Sequence, residues 1–352
     1  MNNCGIYVHI PFCESKCSYC DFFSRVTTKN VKENYLTDLI NQIRSVRYED
    51  FLVKTIYIGG GTPSVLGGKA IRKIAEEIYS VFNVDENIEF TVEVNPESVS
   101  AEFISEIISA GVNRISMGIQ SFNDEELKIL GRRASSQKCK DAFTIIRDGG
   151  IENISIDLML AVPGQTDKTL EYSLKQAVSL SPEHISAYLL KIEKDTVFEK
   201  KGITEASDDI QQKMYLFTSN YLISNGYEHY EISNYAKPGF KSKHNLSYWK
   251  MIPYIAFGAG AYGFDGKTRY YYNKNIDDFM CKNIEEVLDE KTIEEERVML
   301  GLRTSDGVLL PTDKISYADN LIKNGYMKKV NNKYALTPKG FLVSNKIISD
   351  IL

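Results

Sequence analysis

The first 195 residues alternate between two kinds of segment, and that alternation leaves few folds open. Short apolar, β-branched runs fall at Gly5–Ile10, Thr55–Ile58, Glu89–Val94, Arg114–Ile119, Ser155–Leu160 and His184–Leu190. Between them lie Lys32–Val46, Lys69–Val81, Ala101–Ala110, Ser136–Asp148 and Lys168–Ser179. Each of these carries apolar residues at spacings of three and four, the helical period. Gly111 and Gly149–Gly150 stand where helix C-caps fall. Repeated strand–helix units mean parallel strands joined by helical crossovers. Periodicity alone accommodates either a barrel or an open doubly wound sheet. The chemistry-bearing residues sit at the ends of several strands. That favours a curved sheet whose C-terminal rim gathers the site over a single switch point. The expected class is α/β, a partial (β/α)6 TIM-like barrel.

The pattern changes beyond residue 195. Asp208–Ser224 reads as a long helix, and Tyr227 to Tyr272 as an aromatic, loop-rich stretch containing the single tryptophan, Trp249. A small helical unit starts near Thr292. Within it Lys328–Leu336 reads as a hairpin turning at Asn331–Asn332, and Thr337–Pro338 as a helix start. These features predict a smaller C-terminal α+β domain containing a winged-helix-like unit. The expected boundaries are 1–200 for the barrel, 201–290 for a connecting region beside the ligand, and 291–352 for the C-terminal unit.

Forty-seven acidic against 42 basic residues leave a net charge of −5, which gives no global pull towards nucleic acid or anionic membrane. No apolar run reaches membrane-spanning length. Met1–Cys4 does not make a signal peptide, so a cytoplasmic protein is expected. Residues 321–346 hold six lysines and no acid. On a winged helix that could face DNA; a solvated face is the preferred reading, and a transient protein or membrane-surface contact lies between them. No nucleic-acid partner is expected. Gly258-Ala259-Gly260-Ala261-Tyr262-Gly263 fits a dinucleotide fingerprint, but Phe264-Asp265-Gly266 after it signals a turn, not the helix start that pyrophosphate needs.

Three of the six cysteines fall within eight residues, Cys13, Cys17 and Cys20, while Cys4, Cys139 and Cys281 are scattered. A tight cluster in a chain this size reads as metal or redox chemistry. Structural zinc takes four protein ligands, and no fourth cysteine follows nearby; a zinc site completed by His9 is the alternative. A 4Fe–4S cluster normally takes four cysteines, so three leave one iron open to an outside ligand. Gly59-Gly60-Gly61-Thr62-Pro63 follows the second strand, where backbone N–H groups can approach a ligand closely. Glu93, Gln120 and Asp157 lie on successive strands, where polar groups are costly unless paired or liganded. Arg132 and Arg133 follow on the next helix.

Cys13-x3-Cys17-x2-Cys20 after a first strand, with Tyr19 before the last cysteine, resembles the radical S-adenosylmethionine (SAM) superfamily. The resemblance implies that SAM chelates the open iron and that electron transfer into its sulfonium releases a 5′-deoxyadenosyl radical. Tyr7-x-His9-Ile10-Pro11-Phe12-Cys13, Gly60-Gly61-Thr62-Pro63, Glu93-x-Asn95-Pro96, Gly118-Ile119-Gln120-Ser121-Phe122, Arg132 and Asp157-Leu158 narrow it to the coproporphyrinogen-oxidase-like branch. By that match Tyr7, Tyr19, Gly60, Gly61, Thr62, Glu93, Gln120, Arg132 and Asp157 look like SAM contacts.

Oxygen-independent oxidases of the branch have a further cysteine two residues after the third ligand, where this chain has Phe22. That departure resembles HemW-type haem chaperones, which share the scaffold. Lys243-His244-Asn245-Leu246-Ser247-Tyr248-Trp249 matches their His-Asn-x-x-Tyr-Trp motif. The resemblance implies a haem site at His244, Tyr248 and Trp249, with His244 the first choice of iron ligand and Tyr248 or Cys281 the others. It also implies haem as ligand and a haem-accepting protein as partner. Oxidative decarboxylation of coproporphyrinogen III to protoporphyrinogen IX is the alternative; a DNA-binding redox regulator is the third.

Overall fold

The structure, a computed structural model, describes residues 2–46 and 50–352, so Met1, where the signal-peptide reading begins, lies outside the described residues. Six strands alternate with helical crossovers through the first half. They are β1(Asn2–Ile10), α1(Lys29–Ser45), β2(Phe51–Gly60), α2(Gly68–Val81), β3(Val84–Val94), α3(Ala101–Ser109), β4(Arg114–Gln120), α4(Asp124–Ile129), α5(Ser136–Asp148), β5(Asn153–Leu160), α6(Asp167–Ser179) and β6(His184–Leu189). Strands β1 to β6 pair in parallel in chain order. The helices hold together on their apolar faces. In α2, Ala70, Ile71, Ile74, Ala75 and Ile78 are buried at helical spacing, and burying each isoleucine is worth about 1.5–3 kcal/mol.

The sheet does not stop at six strands. After α7(Val197–Lys200) and α8(Asp208–Ser224) come β7(Glu228–Glu231), β8(Asn234–Ala236), α9(Lys243–Trp249), β9(Tyr254–Phe257), β10(Tyr262–Phe264), β11(Thr268–Tyr272) and β12(Lys282–Val287). Strand β8 adds antiparallel to β6, and β9 adds parallel to β1, giving the order β12-β11-β10-β9-β1-β2-β3-β4-β5-β6-β8-β7. The expected loop-rich stretch from Tyr227 to Tyr272 carries five short strands among its loops, distributed to both edges. Runs of three to five residues are too short to show a period of two. The glycine run at 258–263 is a close crossing between β9 and β10, with no helix after it. A Cβ on Gly258 would lie 2.5 Å from the His9 carbonyl oxygen.

Alternation along the parallel strands sorts apolar from polar. On β4, Ile115, Met117 and Ile119 are buried in the main core, while Arg114, Ser116 and Gln120 line the barrel cavity. On β5, Ile154, Ile156 and Leu158 join the core, while Asp157 and Met159 line the cavity. Helices cover one face of the sheet, as parallel sheets require, and the other face encloses a polar interior.

The C-terminal unit comprises α10(Glu290–Gly301), α11(Ile315–Lys323), β13(Met327–Val330), β14(Lys333–Leu336), α12(Pro338–Phe341) and α13(Ser344–Ile351). The hairpin turns at Asn331, whose φ is 56°, and Pro338 opens α12 behind a Thr337 cap. The unit meets the barrel where the Phe341 ring packs 5.2 Å from that of His229. Its lysines are partly engaged locally: Lys329 with Asp319, Lys346 with Asp350, and Lys339 over the Tyr326 ring. No helix among the described residues is long and apolar enough to cross a membrane.

Candidate functional site

The loop after β1 carries the three cysteines and is fastened from both sides. Cys13 N donates to Arg25 O (3.1 Å), Arg25 N to Pro11 O (3.0 Å), and Ser18 N to Leu130 O (2.9 Å) beside α4. All three thiols are free and half-buried, and all three line one chamber of 130 Å³ at the C-terminal rim of the sheet. Thr62 Oγ1 reaches Cys13 Sγ (3.6 Å) and Arg132 Nη1 reaches Cys17 Sγ (3.5 Å). Among the described residues no three His, Cys, Asp or Glu side chains converge on a single metal ion. A cubane's thiolates bind separate irons, so three cysteines lining one chamber suit it. The zinc alternative lacks its fourth donor: His9 Nδ1 is bonded to Tyr7 Oη and Nε2 to Phe23 O, both at 2.9 Å.

Tyr19, Gly60, Gly61, Thr62, Glu93, Gln120, Arg132 and Asp157 line the same chamber. Glu93 receives Tyr57 Oη (2.7 Å) and Gly60 N (3.1 Å), and burial pushes its carboxyl up to about 7. Burial also raises Asp157. Two carboxylates that burial drives towards neutrality regain their charge when a cation enters. SAM brings both an ammonium and a sulfonium, so the donor set fits it. Arg132 Nη2 holds Asn95 Oδ1 (2.9 Å) and the Gly118 carbonyl, while its Nε has no hydrogen-bond partner. Arg133 instead pairs on the surface with Glu14 at 2.6 Å. Gln120 ends β4 at φ 77°, beyond a register shift, a backbone state that costs about 1–3 kcal/mol outside glycine.

Some expectations need correction. The glycine loop does not offer free N–H groups: Gly60 N goes to Glu93, Gly61 N to Ile10 O (2.9 Å) and Thr62 N to Phe12 O (2.7 Å). These glycines are needed because the loop presses against β1. A Cβ on Gly60, whose φ is +114°, would lie 2.5 Å from His9 Cε1, and one on Gly61 would lie 2.5 Å from Phe12 O. Tyr7 is absent from the cysteine-lined chamber. It lines a separate groove of 360 Å³ with His9, Phe23, Tyr248 and Tyr254.

His244 is 1% exposed and lines neither chamber nor groove. Its Nδ1 is bonded to Thr55 Oγ1 (2.8 Å), its Nε2 to Tyr248 Oη (2.7 Å), and its ring stacks on Tyr57 with centroids 5.1 Å apart. Burial pushes its pKa down to about 3. In this arrangement the ring is a neutral internal strut with no nitrogen left for iron. It fixes α9, whose N-terminus is further held by Glu89, which accepts from Lys243 N and His244 N (both 2.9 Å). Tyr248 faces the 360 Å³ groove; half-buried Trp249 ends α9 and lines neither space.

A larger chamber of 420 Å³ adjoins the cysteine-lined chamber, sharing Tyr19, Cys20, Phe22, Glu93, Ser116, Gln120 and Asp157. It descends to Arg114, Tyr57 and Asn245, and its outer wall carries Met159, Tyr188 and Leu189. Neither Arg114 nor Tyr57 was singled out from the sequence as a site residue, whereas Asn245 is the second residue of the His-Asn-x-x-Tyr-Trp motif. Arg114 opens β4 where the period of two turns it inward, and that parity is the signal that finds it.

A six-stranded parallel half-barrel carrying three cysteines on the loop after its first strand, with acidic and basic side chains gathered at its C-terminal rim, defines the radical SAM class. The Radical SAM superfamily pattern matches residues 7–177. The chain is 37% identical to heme chaperone HemW of Bacillus subtilis (strain 168) over 98% of each chain. It is 35% identical to HemW of Lactococcus lactis subsp. lactis (strain IL1403), over 98% of this chain and 96% of that one. It therefore belongs to the HemW family of that superfamily. Among solved structures, the radical SAM enzyme coproporphyrinogen III oxidase (HemN) from Escherichia coli superposes with a TM-score of 0.85 at 20% identity, covering 99% of this chain and 89% of that one. That likeness shows the fold.

Proposed function

We propose that this chain is a haem chaperone: it takes up haem in the chamber next to its SAM site and delivers it to a haem-requiring protein. One observation carries the reading. Phe22, two residues beyond the third cysteine, is 64% exposed and borders the SAM chamber, the 420 Å³ chamber and the 360 Å³ groove. At the junction of three open spaces this exposed ring offers an apolar face that a flat macrocycle would cover. The oxidases of the branch carry a thiol at this position.

Cys13, Cys17 and Cys20 would hold the cluster, and Tyr19, Gly60, Gly61, Thr62, Glu93, Gln120, Arg132 and Asp157 would surround SAM. When bound, the pair supplies one-electron chemistry at the sulfonium. Glu93 and Asp157 balance the ligand's positive charge, and Arg132 orients the rim by joining Cys17 to Asn95 and β4. The motif around His244 supports the haem chamber from below, presenting Asn245 to it while His244 braces the helix.

The test is anaerobic titration of cluster-loaded protein with haem, followed by mixing with an apo-haem protein. Saturable Soret growth and transfer of the band to the acceptor are expected. Formation of protoporphyrinogen and 5′-deoxyadenosine from coproporphyrinogen, SAM and a reductant would replace this reading with the oxidase.

A further inference from the structure

The barrel floor holds a positive charge with few hydrogen-bond partners. Arg114 is 2% exposed, yet its side chain lines the 420 Å³ chamber. Among the described residues its one hydrogen bond is a long contact from Nη1 to Thr91 Oγ1 (3.4 Å), and its Nε has no partner. A buried guanidinium costs several kcal/mol unless its donors are met. Glu93 and Asp157 face its charge and are held closer to ionisation by it, but their hydrogen bonds go elsewhere: Glu93 to Tyr57 and Gly60, and Asp157 to Ser116 and Ser186. Its other neighbours do not relieve it. His184 is bonded at both ring nitrogens, to Ser155 and Tyr230, and Arg114 helps to hold both His184 and His244 neutral. Above Arg114 the chamber wall turns apolar at Met159, Leu189 and Tyr188, the last 39% exposed at the mouth. The chamber therefore presents a planar cationic fork at its base and an apolar lining nearer the rim.

We propose that Arg114 anchors a carboxylate of the bound ligand, and, building on the haem reading above, that this carboxylate is a haem propionate. The geometry of guanidinium donors suits a carboxylate bidentately. A ligand with a negative arm and an apolar body enters arm first. The floor then selects for free propionates, while the Phe22 and Tyr188 end is indifferent to them.

The experiment crosses protein charge with ligand charge on the cluster-loaded full chain. Haem and haem dimethyl ester are titrated into the unchanged protein, Arg114→Gln and Arg114→Lys. Haem is expected to bind the unchanged protein at least tenfold tighter than the diester. Arg114→Gln should lose that factor for haem and bind the diester as before, which also shows that its site still folds. Arg114→Lys should recover part of it. Equal affinity of haem and diester for the unchanged protein overturns the anchor and leaves the chaperone reading standing. Absence of saturable haem binding overturns both. Should Arg114→Gln fail to fold, the comparison of the two ligands on the unchanged protein decides alone.

Discussion

Replacing His244 separates a strut from an iron ligand, because the two roles predict opposite balances of stability and binding. His244→Ala removes hydrogen bonds of 2.8 Å to Thr55 and 2.7 Å to Tyr248. Thr55 is 3% exposed, so its stranded hydroxyl costs about 1–3 kcal/mol; Tyr248 borders an open groove and recovers water. The emptied ring volume adds about 2 kcal/mol or more. The expected loss is therefore about 3–5 kcal/mol, read as a lowered urea midpoint of the cluster-loaded protein. Thr55→Val keeps the ring and strands only Nδ1, so it should lose about 1–2 kcal/mol. In both variants the haem Soret band should keep its position, with affinity falling less than tenfold as α9 loosens. The strut reasoning is refuted if His244→Ala keeps the parent's midpoint while its Soret band shifts or vanishes.

Other outcomes follow from the rim. Glu93 sits near 7 because burial disfavours its charge, and a cationic ligand needs the ionised form. SAM affinity should therefore rise with pH up to about 7 and level off above it, falling towards tenfold per unit below; equilibrium binding between pH 6 and 8.5 checks this, and Glu93→Gln should give a weaker, flat profile. Gly60→Ala forces a Cβ within 2.5 Å of His9 at φ +114°. It should cost at least about 1–3 kcal/mol in backbone strain and reduce SAM binding while iron and sulfide content are kept; SAM binding equal to the parent's would contradict the close-approach argument. Phe22→Ser should leave iron content and unfolding midpoint alone because the ring is exposed, yet weaken haem binding about 10- to 100-fold, the worth of burying one such ring. An unchanged haem titration would remove Phe22 from the binding surface.

The half-barrel was legible because each of its elements is long enough to show a period. Ser136–Asp148 and Asp208–Ser224 fall at the bounds read from their patterns, and the six parallel strands differ from their candidates only at the ends. The outer strands were not legible. Strands β8 and β10 have three residues each, and their identity as strands comes from pairing: β8 with β6, about 50 residues earlier in the chain, and β10 with β9 and β11 on either side of it. Tertiary pairing, not local preference, makes those segments extended.

For the site, legibility followed chemistry. Cysteine spacing and inward polar residues on apolar strands name their positions directly, and the rim brings eight of the nine proposed SAM contacts to the cysteines' chamber. The missing one, Tyr7, shows the limit. It lies on β1 one residue inside the buried Val8, so parity places it inward, but inward includes two spaces. Its hydroxyl bonds His9 Nδ1 at 2.9 Å, which ties it to the groove. His244 fails for a related reason: a histidine beside tyrosines in sequence looks like a ligand, whereas Thr55, 189 residues away, is the partner that engages its second nitrogen. Arg114 is the converse. Its parity on β4 turns it inward, but parity does not tell an enclosed arginine from one that reaches solvent at the start of a strand. Only the enclosure of β4 between β3 and β5 turns it into a buried charge in need of an anion.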